Sequence, residues 1–222
     1  MINGTEMLDW LQSRRSVRRF TERPIERAVL ERLLLAATSA PSSTNRQPWR
    51  FAVVTDPNVK RRIASVVRAK TQWLQEVISR GHHAEDFGAY GDFFFEPLEA
   101  ASALVIPQYR PYPDQLAGFI RSGRGDLSAF QTPDAMQPEH CATSAAVMLM
   151  LLQARAEGLG ACWMAGPMVA KAEVQQLVEV ISPYEMLGVV ALGYPAETPT
   201  AQPRRSLTRV VRWFEESEHD DE

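Results

Sequence analysis

Residues 140–160 read HCATSAAVMLMLLQARAEGLG. Apolar side chains fall on nearly every side of this Ala-rich run, so as a helix it keeps no broad face for water. Such a helix belongs at the centre of a fold, with other elements packed around it. Gly158 and Gly160 follow the last helical turn and are expected to end it. The rest of the chain must then supply the covering layers.

Those layers are legible as a mixture of helices and strands. Residues 5–13 form a short helix with Met7, Leu8 and Leu11 apolar. In PIERAVLERLLLAATSA, Ile25, Val29, Leu33 and Ala37 recur at helical spacing, and Pro24 with Glu26 suits the start. APSSTNRQPW breaks that pattern with two prolines and three hydroxyl side chains. RFAVVT is a brief strand closed by DPN, followed by a charged helix over 58–80. ASALVIPQY reads as a buried strand, ACWMAG and EMLGVVALGYP as further strands, and AKAEVQQLVEVI as a helix between them. Residues 110–137 are rich in Gly, Pro, Gln and Asp without periodicity, which marks a loop or lid inserted in the domain. No internal repeat is visible. A single domain over residues 1–214 is expected, with 215–222 as a frayed acidic tail.

The chain has 27 acidic and 24 basic residues, and six of the acids stand in its last eight positions. The body without that tail is therefore mildly basic, at +3. A charge this small argues against a general nucleic-acid binder, which needs a broad basic face. Cys141 and Cys162 have no metal or redox spacing and read as reduced, mostly buried thiols. No leader pattern is present, and the longest apolar window is too short to span a bilayer. A cytoplasmic protein without membrane or nucleic-acid partners is expected.

Against this background QSRRSVRRF (12–20) stands out, with Arg14, Arg15, Arg18 and Arg19 around one serine. Nucleic acid, a solvated helix end, or a pocket for a phosphate are the three readings. Searches for self-contained chemistry return nothing. GLGACW lacks the third glycine of a dinucleotide fingerprint and follows a helix instead of a strand. His82, His83, Glu85 and Asp86 match no common metal spacing. His140 and Cys141 are adjacent on a helix and point to different faces. An enzyme of this sequence would leave its chemistry to a cofactor.

Four segments, RRSVRRF, APSSTNRQPWRF, GLGACWMAGP and ALGYPAETP, in this order, together resemble the nitroreductase family of FMN-dependent oxidoreductases. The resemblance covers about residues 6–213, and its most specific part is the Pro-Ser-Ser-x-Asn-x-Gln-Pro-Trp loop. It implies an α+β fold, a central, mostly antiparallel sheet flanked by helices, built as an intertwined homodimer with FMN at the interface. By position, Arg14, Arg15 and Ser16 are implied at the phosphate and ribityl side, where arginine's planar donors match phosphate oxygens. Arg18 is implied at the pyrimidine end of the flavin, stabilising the negative charge gained on reduction. Arg19 has no implied role and is expected on the surface.

The loop residues Pro41, Ser42, Ser43, Asn45 and Gln47 are implied to reach the flavin from the other subunit. The backbone at Ala165 and Gly166 is implied near flavin N5; many relatives carry an acid where this chain has Ala165. Arg204 and Arg205 are taken jointly as a second phosphate contact. Trp163 and Met164 read equally as core or site, and Thr143 and Ser144 are not assigned as ligands.

The implied activity is ping-pong hydride transfer from NAD(P)H, through the flavin, to a small electron-poor acceptor such as a nitroaromatic or quinone. The run Phe93, Phe94 and Phe95, with Tyr109, Tyr112 and the 110–137 loop, reads as a lid over the substrate side or as ordinary core. The fold also hosts dehalogenation, flavin fragmentation and dehydrogenation, so these remain alternatives, as does a flavin-binding sensor without turnover.

Overall fold

The computed structural model describes residues 3–82, 94–113, 115–129 and 137–214. The expectations for His83, Glu85, Asp86, Phe93 and the acidic tail lie outside the described residues.

One sheet organises the chain. Its strands are β1 (Trp49–Val54), β2 (Ala103–Tyr109), β3 (Gly160–Met164), β4 (Glu185–Met186) and β5 (Val189–Gly193). The order is β1-β2-β5-β3, with β4 beside the end of β2. Each of these pairings is antiparallel. β2 is buried from Ala103 to Gln108, as expected for a strand covered on both faces. Its period-two alternation sorts the cores. Ala103 and Val105 face one apolar cluster, and Leu104 and Ile106 face the other.

On the first face lie α2 (Arg27–Thr38) and α6 (Pro138–Ala156). α2 buries Val29, Leu33 and Ala37, as the sequence spacing called for, and Leu30 beside them, while Ile25 is buried just before the helix begins. α6 inserts Ala146, Val147, Met150 and Ala154 into the same cluster. On the second face lie α3 (Pro57–Ile78), α4 (Glu96–Ala100) and α7 (Lys171–Leu177). α3 starts cleanly: Pro57 occupies its first turn, and the Asp56 carboxylate accepts from the Asn58 amide at 2.7 Å. The helix then buries Ile63, Ala64, Val67 and Thr71 along one face. α1 (Gly4–Gln12) buries no residue fully. After residue 200 the described chain is an exposed arm, with a single-turn α8 (Leu207–Val210) and with Leu207, Trp213 and Phe214 uncovered.

Several expectations change. The central helix is buried on one side only: Cys141 and Met148 are exposed, and Ala145, Leu149 and Leu152 half-buried. Cys141 is thus not a buried thiol, whereas Cys162 is. The segment read as irregular carries an eight-residue helix, α5 (Gln115–Ser122). Two turns are too short to build a legible period. α7 stops at Leu177 instead of running through Ile181, because Glu179 turns to a φ of 53°. The last expected strand is split into β4 and β5 at Gly188, whose φ of 117° suits glycine. Among the described residues no helix is long and apolar enough to cross a membrane.

Candidate functional site

The arginine segment is held by the sheet's edge. After α1 the chain runs beside β3, forming a bridge between Ser16 and Ala161, and the Val17 amide donates to the Ala161 carbonyl at 3.0 Å. Buried Val17 fixes the register. This alternation turns Val17 inward and leaves Ser16 and Arg18 to line a surface cavity. The approach is close because residue 160 is glycine. A β-carbon there would lie 2.6 Å from a Val17 methyl and 2.7 Å from Val17 Cβ. Gly160→Ala is therefore expected to push residues 14–18 outward. It should cost about 1–3 kcal/mol in a urea titration and loosen any anion bound by Arg14. A variant as stable as the parent would show that this packing yields freely.

A cavity of about 370 Å³ is lined by Arg14, Arg15, Ser16, Arg18 and Arg204, together with Pro199, Thr200 and Gln202. Arg205 is not among its lining residues, so the basic pair taken jointly from sequence divides here. The four arginines differ in their commitments. Arg15 Nη1 donates to the carbonyls of Gln12 at 2.7 Å and Arg14 at 2.9 Å, so this group closes the C-terminal end of α1 while bordering the cavity. The guanidinium groups of Arg14, Arg18 and Arg204 make no hydrogen bond or ion pair among the described residues. Burial, and then the charge of Arg204, lower the Arg14 pKa from its ordinary value, with smaller contributions from Arg15 and Arg155. A group whose charged form is disfavoured by like neighbours is relieved by an anion. Arg19 instead lies on the surface and pairs with Glu197 at 3.5 Å.

Arg18 also borders a second cavity, of about 430 Å³, lined by Phe94, Cys162, Trp163, Met164, Ala165 and Gly166. The two cavities share that one side chain. Trp163 is fixed by its indole N–H, which donates to the Leu187 carbonyl at 3.2 Å. Phe94 lies directly on Gly166: a β-carbon at that glycine would sit 2.2 Å from the ring. Burial pushes the Cys162 thiol pKa up, against the pull of Arg18 and Arg14, so it stays a neutral wall of the cavity.

The loop from Pro41 to Gln47 borders neither cavity within this chain. It is instead presented outward in a fixed shape. The Gln47 amide donates to Ser42 Oγ at 3.0 Å, and Gln47 Nε2 donates to Asn45 Oδ1 at 3.2 Å. Thr44, Asn45 and Gln47 all have positive φ, from 47° to 54°. Such strain in non-glycine residues persists where surrounding contacts over-determine it. Arg46, among these residues, ties the loop to α6: its Nη1 donates to the nearly buried carboxylate of Glu139 at 2.9 Å. Ser43 is exposed beside them.

Arg46, Glu139 and Arg155 were not singled out by the sequence. Their only signal was a charged residue at each end of an otherwise apolar helix and one more beside a loop motif. Thr143, left unassigned, is buried with its hydroxyl unpartnered, and Ser144 donates to its own helix at the His140 carbonyl. No group of three or more metal-ligating side chains occurs among the described residues.

The nitroreductase family model matches residues 11–194. An NADH dehydrogenase of Thermus thermophilus is 30% identical over 208 residues, covering 90% of this chain and 92% of that protein. The crystal structure of a BluB-like flavoprotein from Clostridium difficile superposes with a TM-score of 0.82 at 22% identity, covering 96% of this chain and all of the other. That of an iodotyrosine deiodinase, bound to FMN and 3-iodo-L-tyrosine, gives 0.72 at 24% identity, covering 94% and 99%.

Proposed function

This chain belongs to the nitroreductase family, and on that premise we propose that it is an FMN-dependent NAD(P)H oxidoreductase acting on a small electron-poor acceptor, a nitroaromatic or a quinone. One observation carries the reading. Arginines that no acid among the described residues pairs with line a cavity that shares Arg18 with a second cavity, lined by Ala165 and Gly166. FMN has the same layout, with a doubly charged phosphate at one end and a planar ring at the other.

Arg14 and Arg204 hold the phosphate in this assignment, and Ser16 serves the ribityl chain. Arg15 contributes charge while its hydrogen bonds keep the end of α1 in place. Arg18 borders both cavities, so its charge favours an electron-rich ring. The backbone of Ala165 and Gly166 faces the ring, and the missing acid at 165 leaves that contact to main-chain groups. Phe94 and Trp163 supply apolar walls that exclude water. Bound FMN would supply the hydride chemistry itself, taking a hydride from NAD(P)H and passing it on.

A second copy of the chain completes the site. Pro41, Ser43, Asn45 and Gln47 are exposed and Ser42 half-buried, and the loop they shape borders neither of the two cavities, which supports its donation to a partner. The uncovered flank of α6 and the exposed Leu207, Trp213 and Phe214 support the same homodimer, since patches of this kind mark interaction sites.

The test is the visible spectrum of purified protein dialysed with FMN, followed by anaerobic addition of NADH or NADPH. A retained flavin band that bleaches with either nucleotide is expected. Re-oxidation by a nitroaromatic or quinone, set against a halogenated phenol, then assigns the acceptor class. A retained band that never bleaches would turn the reading to a flavin-binding protein without turnover, and loss of the flavin would end it.

A further inference from the structure

Arg155 stands in the last turn of α6, where a cation complements the helix dipole. Its guanidinium does not serve the helix end. Nη2 donates to Ser13 Oγ, and Ser13 Oγ in turn donates to the Trp10 carbonyl at 2.6 Å. The guanidinium carbon lies 5.7 Å from the centre of the Trp10 ring. Its Nε is buried and has no partner. Arg155 and Arg14 border one further cavity of about 190 Å³, behind the segment that carries Arg14.

Among the described residues no acid pairs with this group. Glu157, two residues on, belongs to Arg32: two bonds of 2.7 Å join them and hold the Glu157 pKa down at about 2. Glu197 borders the same small cavity but pairs with Arg19. A half-buried positive charge is thus kept beside Arg14, although its repulsion disfavours Arg14's own charge. An arrangement that costs stability in the empty protein is repaid if an anion binds beside Arg14.

We propose that Arg155 is a positioning residue for the phosphate end of the cavity: held by Ser13 and bordering one small cavity with Arg14, it adds to the positive field behind that side chain, which selects a phosphorylated ligand. This rests on the FMN site proposed above. The charge acts through Arg14, so it should matter for a ligand with a phosphate and not for the same ligand without one.

Riboflavin and FMN differ by that phosphate alone. Dissociation constants for both are measured by fluorescence quenching on the apoprotein of the parent, Arg155→Gln, Arg155→Lys and Ser13→Ala. Arg155→Gln is expected to weaken FMN by roughly tenfold and leave riboflavin unchanged. Arg155→Lys should recover most of the loss. Ser13→Ala keeps the charge but frees it, and should cost FMN about threefold. Ser13→Ala carries the test should Arg155→Gln not fold. Equal weakening of both ligands in Arg155→Gln or Ser13→Ala would mean a merely structural role and overturn the proposal, as would no change in either. A parent protein that does not prefer FMN to riboflavin would instead remove the phosphate site, and this proposal with it.

Discussion

Arg14→Ala is expected to weaken FMN binding by roughly ten- to a hundredfold, with little loss of fold stability. The size follows from deleting a charge-assisted contact to phosphate, about 1.5–3 kcal/mol. The small stability cost follows from the empty structure, where the Arg14 guanidinium has no bond to lose and is burdened by the charges of Arg204, Arg15 and Arg155. Removing it should leave the apoprotein's melting temperature unchanged or slightly raised. Binding falls while stability does not, which separates a ligand-binding arginine from a structural one. Titration of FMN into the apoprotein and a thermal melt of the same sample suffice. An unchanged FMN affinity would remove Arg14 from the cofactor site.

Arg46→Ala should produce the largest fall in stability, about 3 kcal/mol. The Glu139 side chain is 8% exposed and its partner 22%, so the truncation strands a carboxylate that water hardly reaches. Adding Glu139→Gln to Arg46→Ala should restore part of the loss, because the stranded charge is gone. The same substitution frees the loop from α6, together with its strained turn at Thr44, Asn45 and Gln47. FMN binding should weaken in parallel if that loop serves the partner's site. Urea denaturation with FMN present and absent measures both effects. A loss under about 1 kcal/mol would place this pair among ordinary exposed ion pairs.

The two variants mark how far the residues could be read from the chain. Arg14 was legible because four arginines in a row of nine are conspicuous, and the family motif gives that position a role. Glu139 was not. It reads as a helix-start acid beside Pro138, and nothing local says that Arg46, 93 residues away, will meet it. Arg155 was hidden for the same reason: a last-turn cation on a helix is ordinary until Ser13 is seen to hold it.

The fold divides along the same line. Local pattern set the helices and strands that bury a face. β2 is a continuous apolar run because both of its sides are covered, and α2 shows its buried stripe in its spacing. The short elements failed, α5 because two turns make no period and α7 because one residue of positive φ stops it early. What the sequence by itself determined is therefore the set of amphipathic and apolar segments, the glycine at 160 that permits close approach, and the family motifs. Which arginines share a cavity is a matter of tertiary packing: Arg14, Arg15, Arg18 and Arg204 line one, and Arg14, Arg15 and Arg155 another. Charge placement across such separations depends on packing, and no local periodicity encodes it.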